Sequence, residues 1–460
     1  MVLPANILVF DLGTSYFKGT LFDLSGRLLA VSRMPTPFTN TTAPYSEVSV
    51  PAFDAALLEL ADGLRRDSPA AWGEIGAVTF STQTNSFALL DAGDQPLTPF
   101  VVWNDRRAME LEGPLDALMA LTGFYETTGV PGLSPEFMAA KLHWFQTKTP
   151  ELWERVARVA LISDYLTLRF TGQFVTEAGA AGLTGLVDIH RLEWWDTALE
   201  VAGLERDGLP HIARAGTPIG AITPDAARRF ALPNDCQFVV GCLDQYAGAI
   251  GAANVTAGGV SETTGTVLAT VRCADSFAPC PDSGVFWGPG FAPGQYYQMV
   301  FGDVSANLLE AFRNALPDAL DFDALGEAAT ASEPGALTLP RDLDTPELLT
   351  HVRGWAQTEP PGRATRAIFE GVARALRGQL DQLCGGARPA EIHSVGGAAR
   401  SAAWLQIKAD TLGVPLRAVH CPEPTSLGAA LLAMAALTGA PARNLAVDHV
   451  YLAPPVRPIS

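Results

Sequence analysis

Near the start of the chain an acid, a Gly-Thr turn and a lysine stand close together: Asp11, Gly13, Thr14 and Lys18, in ILVFDLGTSYFKGTLFD. A tight turn between two strands aims backbone N–H groups and hydroxyls at one point, and such donors suit a phosphate. Asp11 supplies a carboxylate able to order magnesium through water, since magnesium dehydrates reluctantly; it also reads as a turn-initiating aspartate. Lys18 is either a further phosphate contact or a solvated strand residue. Far downstream, GGVSETTGTVLATV repeats the shape around Gly265 and Thr266, with Thr263 where the first copy has Asp11. Two such turns make a clamp for a nucleotide tail, with the metal-side carboxylate kept in one copy. Gly-Thr at a hairpin tip is common, because glycine tolerates turn dihedrals and threonine suits strands. The recurrence, once with flanking Asp and Lys, is what favours phosphate.

The elements that must hold these groups follow from apolar patterning. The first hairpin continues through Ser25-Gly26 into LLAVSRM, a three-stranded meander. An amphipathic helix is expected around Phe53 to Arg65, a buried strand at IGAVTFST and another near Phe87 to Leu90. Residues 109–195 read as a helical, Trp-rich insertion that caps a cleft. The apolar strand Phe238 to Gly241 leads to Asp244, and the small-residue stretch AGAIGAANVTAGG marks the boundary between halves. The second half repeats the order, with a helix at Ala306 to Asn314, a Pro/Asp/Gly-rich surface region at 333–361 and a long helix at 363–383. EIHSVGG followed by AARSAAWLQIKADTLG is a strand–Gly–helix unit, whose glycine pair lets backbone approach a ligand or merely packs a helix on a sheet.

Composition limits the alternatives. With 460 residues, 48% hydrophobic and 17% charged, the chain describes two or three full-cored domains. A net charge of −18 with no basic run argues against nucleic acid or an anionic membrane surface as partner. Six scattered cysteines form no Cys-x-x-Cys pair, so neither zinc nor a disulfide framework is expected. Leu427 to Leu437 is too short to span a bilayer and reads as a buried helix. The start, a short apolar run ending at Asp11, is no signal peptide, so the cytoplasm is the expected location. There is no Gly-x-x-x-x-Gly-Lys-Ser/Thr loop, which excludes a Walker-type NTPase.

Taken in order, these elements carry a resemblance: Asp11-Leu-Gly-Thr14 with Lys18, Trp103-Asn-Asp-Arg106, Gly241-Cys-Leu-Asp244 with Gly248, Thr264-Gly-Thr266, Gly396-Gly-Ala-Ala-Arg400-Ser401, and Glu423 with Ser426-Leu-Gly-Ala-Ala430. The chain resembles the FGGY family of carbohydrate kinases, within the actin-like ATPase superfamily, over nearly its whole length. The resemblance implies an α/β fold of two ribonuclease-H-like domains around a central cleft. Residues 1–246 would form the sugar-binding domain with its helical insertion, and 247–460 the nucleotide-binding domain. It implies ATP and Mg²⁺, a small-molecule sugar as acceptor and, by family habit, a homodimer.

Roles then follow from what phosphoryl transfer requires, a positioned nucleophile and neutralised phosphates. With the resemblance, Asp244 is the expected general base, taking a proton from a sugar hydroxyl; as residue alone it reads first as a helix N-cap. Asp11 and Asp244 would serve the metal. Gly13, Thr14, Lys18, Thr264, Gly265, Thr266, Gly396, Gly397 and Ala398 would contact ATP, the last three against adenosine. Gln83, Thr84, Asn85, Trp103, Asp105, Asp244 and Gln245 would face the sugar, with Trp103 as an apolar platform, Asp105 as a hydroxyl acceptor, and Arg106 either orienting Asp105 or pairing at the surface. The likeness is nearest to the xylulokinase branch, which carries Gln-Met-His-Gly where this chain has Gln83-Thr84-Asn85-Ser86. The Arg-Glu pair of glycerol kinases is missing there. Another ketopentose or a deoxy sugar is therefore an expected acceptor. Two rivals remain: a non-catalytic sugar or nucleotide sensor on the same fold, and a chaperone-like ATPase with a protein partner. Asp11 together with Asp244 opposes the first, and the element from Trp103 to Arg106 opposes the second.

Overall fold

In a computed structural model of the protein, residues 6–110, 113–265, 267–280, 283–318 and 320–459 are described. The chain forms two units, and the division is not a single cut near residue 246. One unit holds the chain up to Gly251 with Asp275–Tyr297 and Thr425–His449; the other holds Ala252–Ala274, Gln298–Pro424 and the chain from Val450.

The first unit is built on strands β1 (Asn6–Leu12), β2 (Tyr16–Asp23), β3 (Leu28–Pro35), β4 (Ile75–Thr82), β5 (Pro218–Ala221), β6 (Gln237–Val239) and β7 (Cys242–Leu243). Their order is β5-β6-β4-β1-β2-β3, with β7 continuing beside β4. β1, β2 and β3 form the expected antiparallel meander, while β4 lies parallel to β1, β6 and β7. β1 and β4 are buried at every residue, which is why both read as unbroken apolar runs. Helix α1 (Val50–Asp67) starts where the Ser49 hydroxyl accepts the Ala52 N–H. It buries Phe53, Ala56, Leu57, Leu60 and Leu64 on one face, at helical spacing. Phe53 meets Phe17 edge-on at 5.7 Å, locking that face to the meander.

The expected helical insertion is mixed. It holds α2 (Met138–Lys148) and α3 (Ala178–Gly182), but strand Arg158–Leu161 joins Phe87–Leu90 in a four-stranded sheet, and strand Val175–Glu177 pairs elsewhere. Short strands leave too little periodicity to be read from sequence. Helix α4 (Asp244–Ile250) follows β7 directly.

The second unit repeats the plan. Its strands are β8 (Val260–Thr264), β9 (Leu268–Ala274), β10 (Tyr296–Gly302), β11 (Ile392–Val395) and β12 (Leu416–Ala418), in the order β10-β9-β8-β11-β12. β8 and β9 form an antiparallel hairpin, and β11 runs parallel to both β8 and β12. Asp11 stands opposite Ser81 in the first unit as Thr263 stands opposite Val395 in the second. The region 333–361, expected to be loose, instead contains α5 (Thr345–Thr358), opened by a capping box between Asp344 and Glu347. Its buried Trp355 anchors it. Helices α6 (Pro361–Cys384) and α7 (Ala402–Leu412) share the core through stacked Phe369 and Trp404 rings, 4.2 Å apart.

Helix α8 (Pro424–Thr438) returns to the first unit and lies backbone to backbone on α4. A Cβ on Gly428 would stand 1.9 Å from the Ala247 carbonyl oxygen, so only glycine permits the approach. Among the described residues no helix is long and apolar enough to cross a membrane.

Candidate active site

Three parallel strands of the first unit end side by side, and the sequence's acids sit at those ends. Asp11 lies one residue from the end of β1, Gln83 just beyond β4, and Asp244 just beyond β7. Open parallel sheets bind ligands at such strand ends. β7 reaches β4 because residue 241 is glycine: a Cβ there would be 1.9 Å from the Phe80 carbonyl oxygen.

Asp11 is 5% exposed, and its Oδ2 accepts a hydrogen bond from Lys18 Nζ at 3.2 Å. Asp244 keeps some accessible surface, yet the packing around it and then the charge of Asp11 push its carboxyl up to about 7. The Gln245 N–H, donating to Asp244 Oδ1 at 2.7 Å, works in the opposite direction. Asp244 does not cap α4. It is the first helical residue, and Leu243 occupies the cap position with no side-chain bond.

The cap's backbone is held by Glu177, which the sequence reading did not single out. Its carboxylate accepts the N–H groups of Gly179 (2.6 Å), Ala180 (2.8 Å) and Leu243 (3.1 Å), binding α3 to the residue before Asp244. Burial raises the Glu177 carboxyl to about 7 against the pull of those three donors, and the charge of Asp164 adds to the rise.

The Gly13-Thr14 turn is tied to the sugar-side residues. The Thr14 hydroxyl donates to Gln83 Oε1 (3.1 Å) and accepts from Trp103 Nε1 (2.7 Å). Gln83 Nε2 is covered and has no hydrogen-bond partner, an open donor beside the turn. Lys141, fully buried on α2, donates to the carbonyls of Trp103 (2.6 Å) and Val102 (3.0 Å) and fixes the platform. Burial lowers its ammonium to about 7, with Asp105 and Glu136 opposing the shift and Arg107 adding to it.

Three expected sugar contacts are committed elsewhere. Asp105 is 0% exposed, and Arg107, not Arg106, is its partner, through Nε at 2.8 Å and Nη2 at 2.9 Å; the Ser46 N–H adds a third bond at 2.7 Å. Burial would raise this carboxyl, but those bonds and the Arg107 charge hold it below the usual range. Asp105 is thus a framework acid with no face left for a hydroxyl. Arg106 lies 3.8 Å from Glu136 at the surface. Asn85, at φ +57°, gives its amide to the Leu183 carbonyl (3.2 Å) and takes the Met138 N–H (3.0 Å). The Thr84 hydroxyl donates to the Ala180 carbonyl at 2.6 Å.

In the second unit, Gly265 and Gly396 follow adjacent strands. Gly396 has φ +88°, and a Cβ there would meet the Thr264 carbonyl oxygen at 3.0 Å. Gly265 and Gly397 face open space, and Ala398 opens a short turn ahead of α7. Thr266 lies outside the described residues. The Thr264 hydroxyl points inward: it donates to Glu262 Oε2 (2.6 Å) and accepts from Lys408 Nζ (2.6 Å). Lys408 also reaches Glu262 Oε1 at 2.7 Å, and the Ser394 hydroxyl reaches it at 2.5 Å. This buried cluster fixes the ends of β8 and β11. A signal existed in sequence, since Lys408 falls on the helix face of Trp404, Leu405 and Leu412.

Comparison with known proteins decides the lineage. The sequence model of the N-terminal domain of the FGGY family of carbohydrate kinases matches residues 6–251, and that of the C-terminal domain matches 309–437. The chain belongs to the FGGY family of carbohydrate kinases. It is 29% identical over 427 residues to a xylulose kinase of Escherichia coli K12, covering 88% of this chain and 84% of that protein. An L-fuculokinase of Salmonella typhi is 28% identical over 449 residues, covering 92% and 91%. The fold is that of a gluconate kinase from Lactobacillus acidophilus, with TM-score 0.87 and 22% identity over 99% of this chain and 94% of that one. FGGY kinases phosphorylate sugars with ATP, and this chain is an enzyme of that class.

Proposed function

We propose that the protein transfers the γ-phosphoryl group of ATP to a hydroxyl of a ketose or related linear sugar, with Asp244 as general base. One observation carries the reading: Asp244 stands at a parallel-strand end beside Asp11, with its carboxyl pushed up to about 7. A base is most effective when its pKa lies near the working pH, contributing about 10²- to 10⁴-fold.

Residues up to 246 provide the sugar side. Gln83 offers its unpartnered amide, Trp103 its ring, and Gln245 lies next to the base. Thr84 and Asn85 act indirectly, fixing α3 and α2 around the acceptor. The names of the relatives, xylulose kinase and L-fuculokinase, support a ketose. The later half provides the nucleotide side, with Gly265 and Thr266 at the phosphates and Gly396, Gly397 and Ala398 at the adenosine. Gly13, Thr14 and Lys18 serve as phosphate contacts. Thr264 serves by holding the turn from beneath.

The Asp11–Asp244 pair fits a divalent cation, because the two carboxylates repel each other there and the Lys18 ammonium brings a single counter-charge. Magnesium held there would neutralise the ATP phosphates. Among the described residues no group of three or more His, Cys, Asp or Glu side chains gathers as a metal cage.

The test is ADP release from Mg-ATP across D-xylulose, D- and L-ribulose, L-fuculose, L-rhamnulose, gluconate, glycerol and erythritol. One strongly preferred acceptor is expected, with turnover nearly abolished in Asp244→Asn while ATP still binds. Substantial turnover in that variant removes Asp244 from the role. Sugar binding without ADP release from any acceptor favours a sensor.

A further inference from the structure

A pocket lies in the later unit, and none of the residues assigned to ATP or sugar lines it. It encloses about 490 Å³ between α6 and the segment from Leu339 to Leu348. Its floor is apolar, made by Leu339, Leu343 and Leu348, and three guanidinium groups line it: Arg341, Arg374 and Arg377. Asp381 is the one acid in the lining, so the pocket is locally positive in a chain of net charge −18.

Two of the arginines are incompletely partnered. Arg374 Nη2 and Arg377 Nε are both covered and have no hydrogen-bond partner. The acid nearest to Arg374, Glu370, is 3.7 Å away and already accepts Arg366 Nε at 2.9 Å. Desolvated guanidinium donors are costly when unmet, and an anion in the pocket would supply the missing counter-charge.

Glycine usage in α6 points the same way. Gly371 has a packing reason, since a Cβ there would stand 2.1 Å from Leu339 Cδ1. Gly378 has none: it lines the pocket, its φ is helical, and a Cβ would meet nothing within 4 Å. A glycine inside a helix is unfavourable relative to alanine, so its effect here is to leave the wall open.

We propose that this pocket binds a phosphate monoester of a compact organic molecule, with the phosphate on Arg374 and Arg377 and the carbon body on the leucine floor. Guanidinium forks match phosphate oxygens in geometry as well as charge. An apolar floor gives no purchase to a free phosphate ion.

Isothermal titration of the full chain with phenyl phosphate, with ADP present to occupy the nucleotide residues, tests the assignment. Phenyl phosphate should bind, with inorganic phosphate and phenol each at least about tenfold weaker, the order expected from losing one half of the contacts. Arg377→Gln should weaken phenyl phosphate about tenfold through loss of charge-assisted bonds. Gly378→Leu should do so by filling the pocket, at an unchanged or higher melting temperature. Equal binding of inorganic phosphate, or wild-type affinity in both variants, overturns the proposal.

Discussion

Glu177 accepts the backbone N–H of Leu243 at 3.1 Å, so a carboxylate from the end of one strand fixes the residue that introduces Asp244. The other two bonds of Glu177 close the first turn of α3, whose Ala180 carbonyl in turn receives the Thr84 hydroxyl. The start of α4 at Asp244, α3 and the turn after β4 are therefore held by one buried acid.

Glu177→Gln places an amide donor against backbone N–H groups. The variant is expected to lose about 1–3 kcal/mol of stability, the cost of a mismatched buried group. Its kcat should fall at least about tenfold while the KM for ATP stays near wild type. Urea unfolding and steady-state kinetics on one preparation separate the two effects; an unchanged kcat would show that Leu243 needs no such support.

Asp244 links activity and stability to pH with a definite sign. Its folded-state pKa is raised from 3.8 to about 7, so the folded protein holds this proton more tightly than the unfolded chain. Its contribution to stability therefore falls as pH rises through that window and is level above it. Asp244→Asn removes the penalty, so the variant's advantage in melting temperature over wild type should grow between about pH 4 and pH 7 and stay level above that. If Asp244 is the base, as proposed, activity runs the other way, rising on the acid side as its carboxyl deprotonates. A melting difference independent of pH would contradict the raised pKa.

Gly428→Ala should be far more damaging than a surface methyl. With the added carbon 1.9 Å from the Ala247 carbonyl oxygen, α8 must move off α4, at a cost of about 1–3 kcal/mol or more. Loss of turnover should accompany the drop in melting temperature, because α4 begins with Asp244.

Lys408 and Glu262 form an ion pair at 2.7 Å with both side chains 0% exposed. Lys408→Met leaves the Glu262 charge buried alone and should cost about 3–5 kcal/mol. Adding Glu262→Gln should recover part of that loss. Calorimetric melting of the single and double variants measures the coupling, and simple additivity would argue against a paired role.

The sequence exposes the frame well, and the acids at the strand ends with it. Long buried runs such as Ile7 to Leu12 and Ile75 to Thr82 are readable because both faces are covered, and Asp11, Gly13 and Asp244 stand beside turns they define. What supports them is hidden. Arg107, Lys141 and Glu177 act on partners distant in the chain, and a charge that satisfies a backbone group has no local signature. Asp105 shows the cost of that blindness: the residue type fits a sugar hydroxyl, and only the fold reveals that Arg107 and Ser46 already use it.

The return of Thr425–His449 to the first unit has a consequence for how the molecule is made. On a ribosome, the strand bearing Asp11 emerges long before Thr425–His449, which carries the helix that packs on α4. The first unit cannot close its packing until Thr425–His449 has been synthesised, and a fragment ending at Gly251 carries Asp11 and Asp244 without the helix that packs on α4.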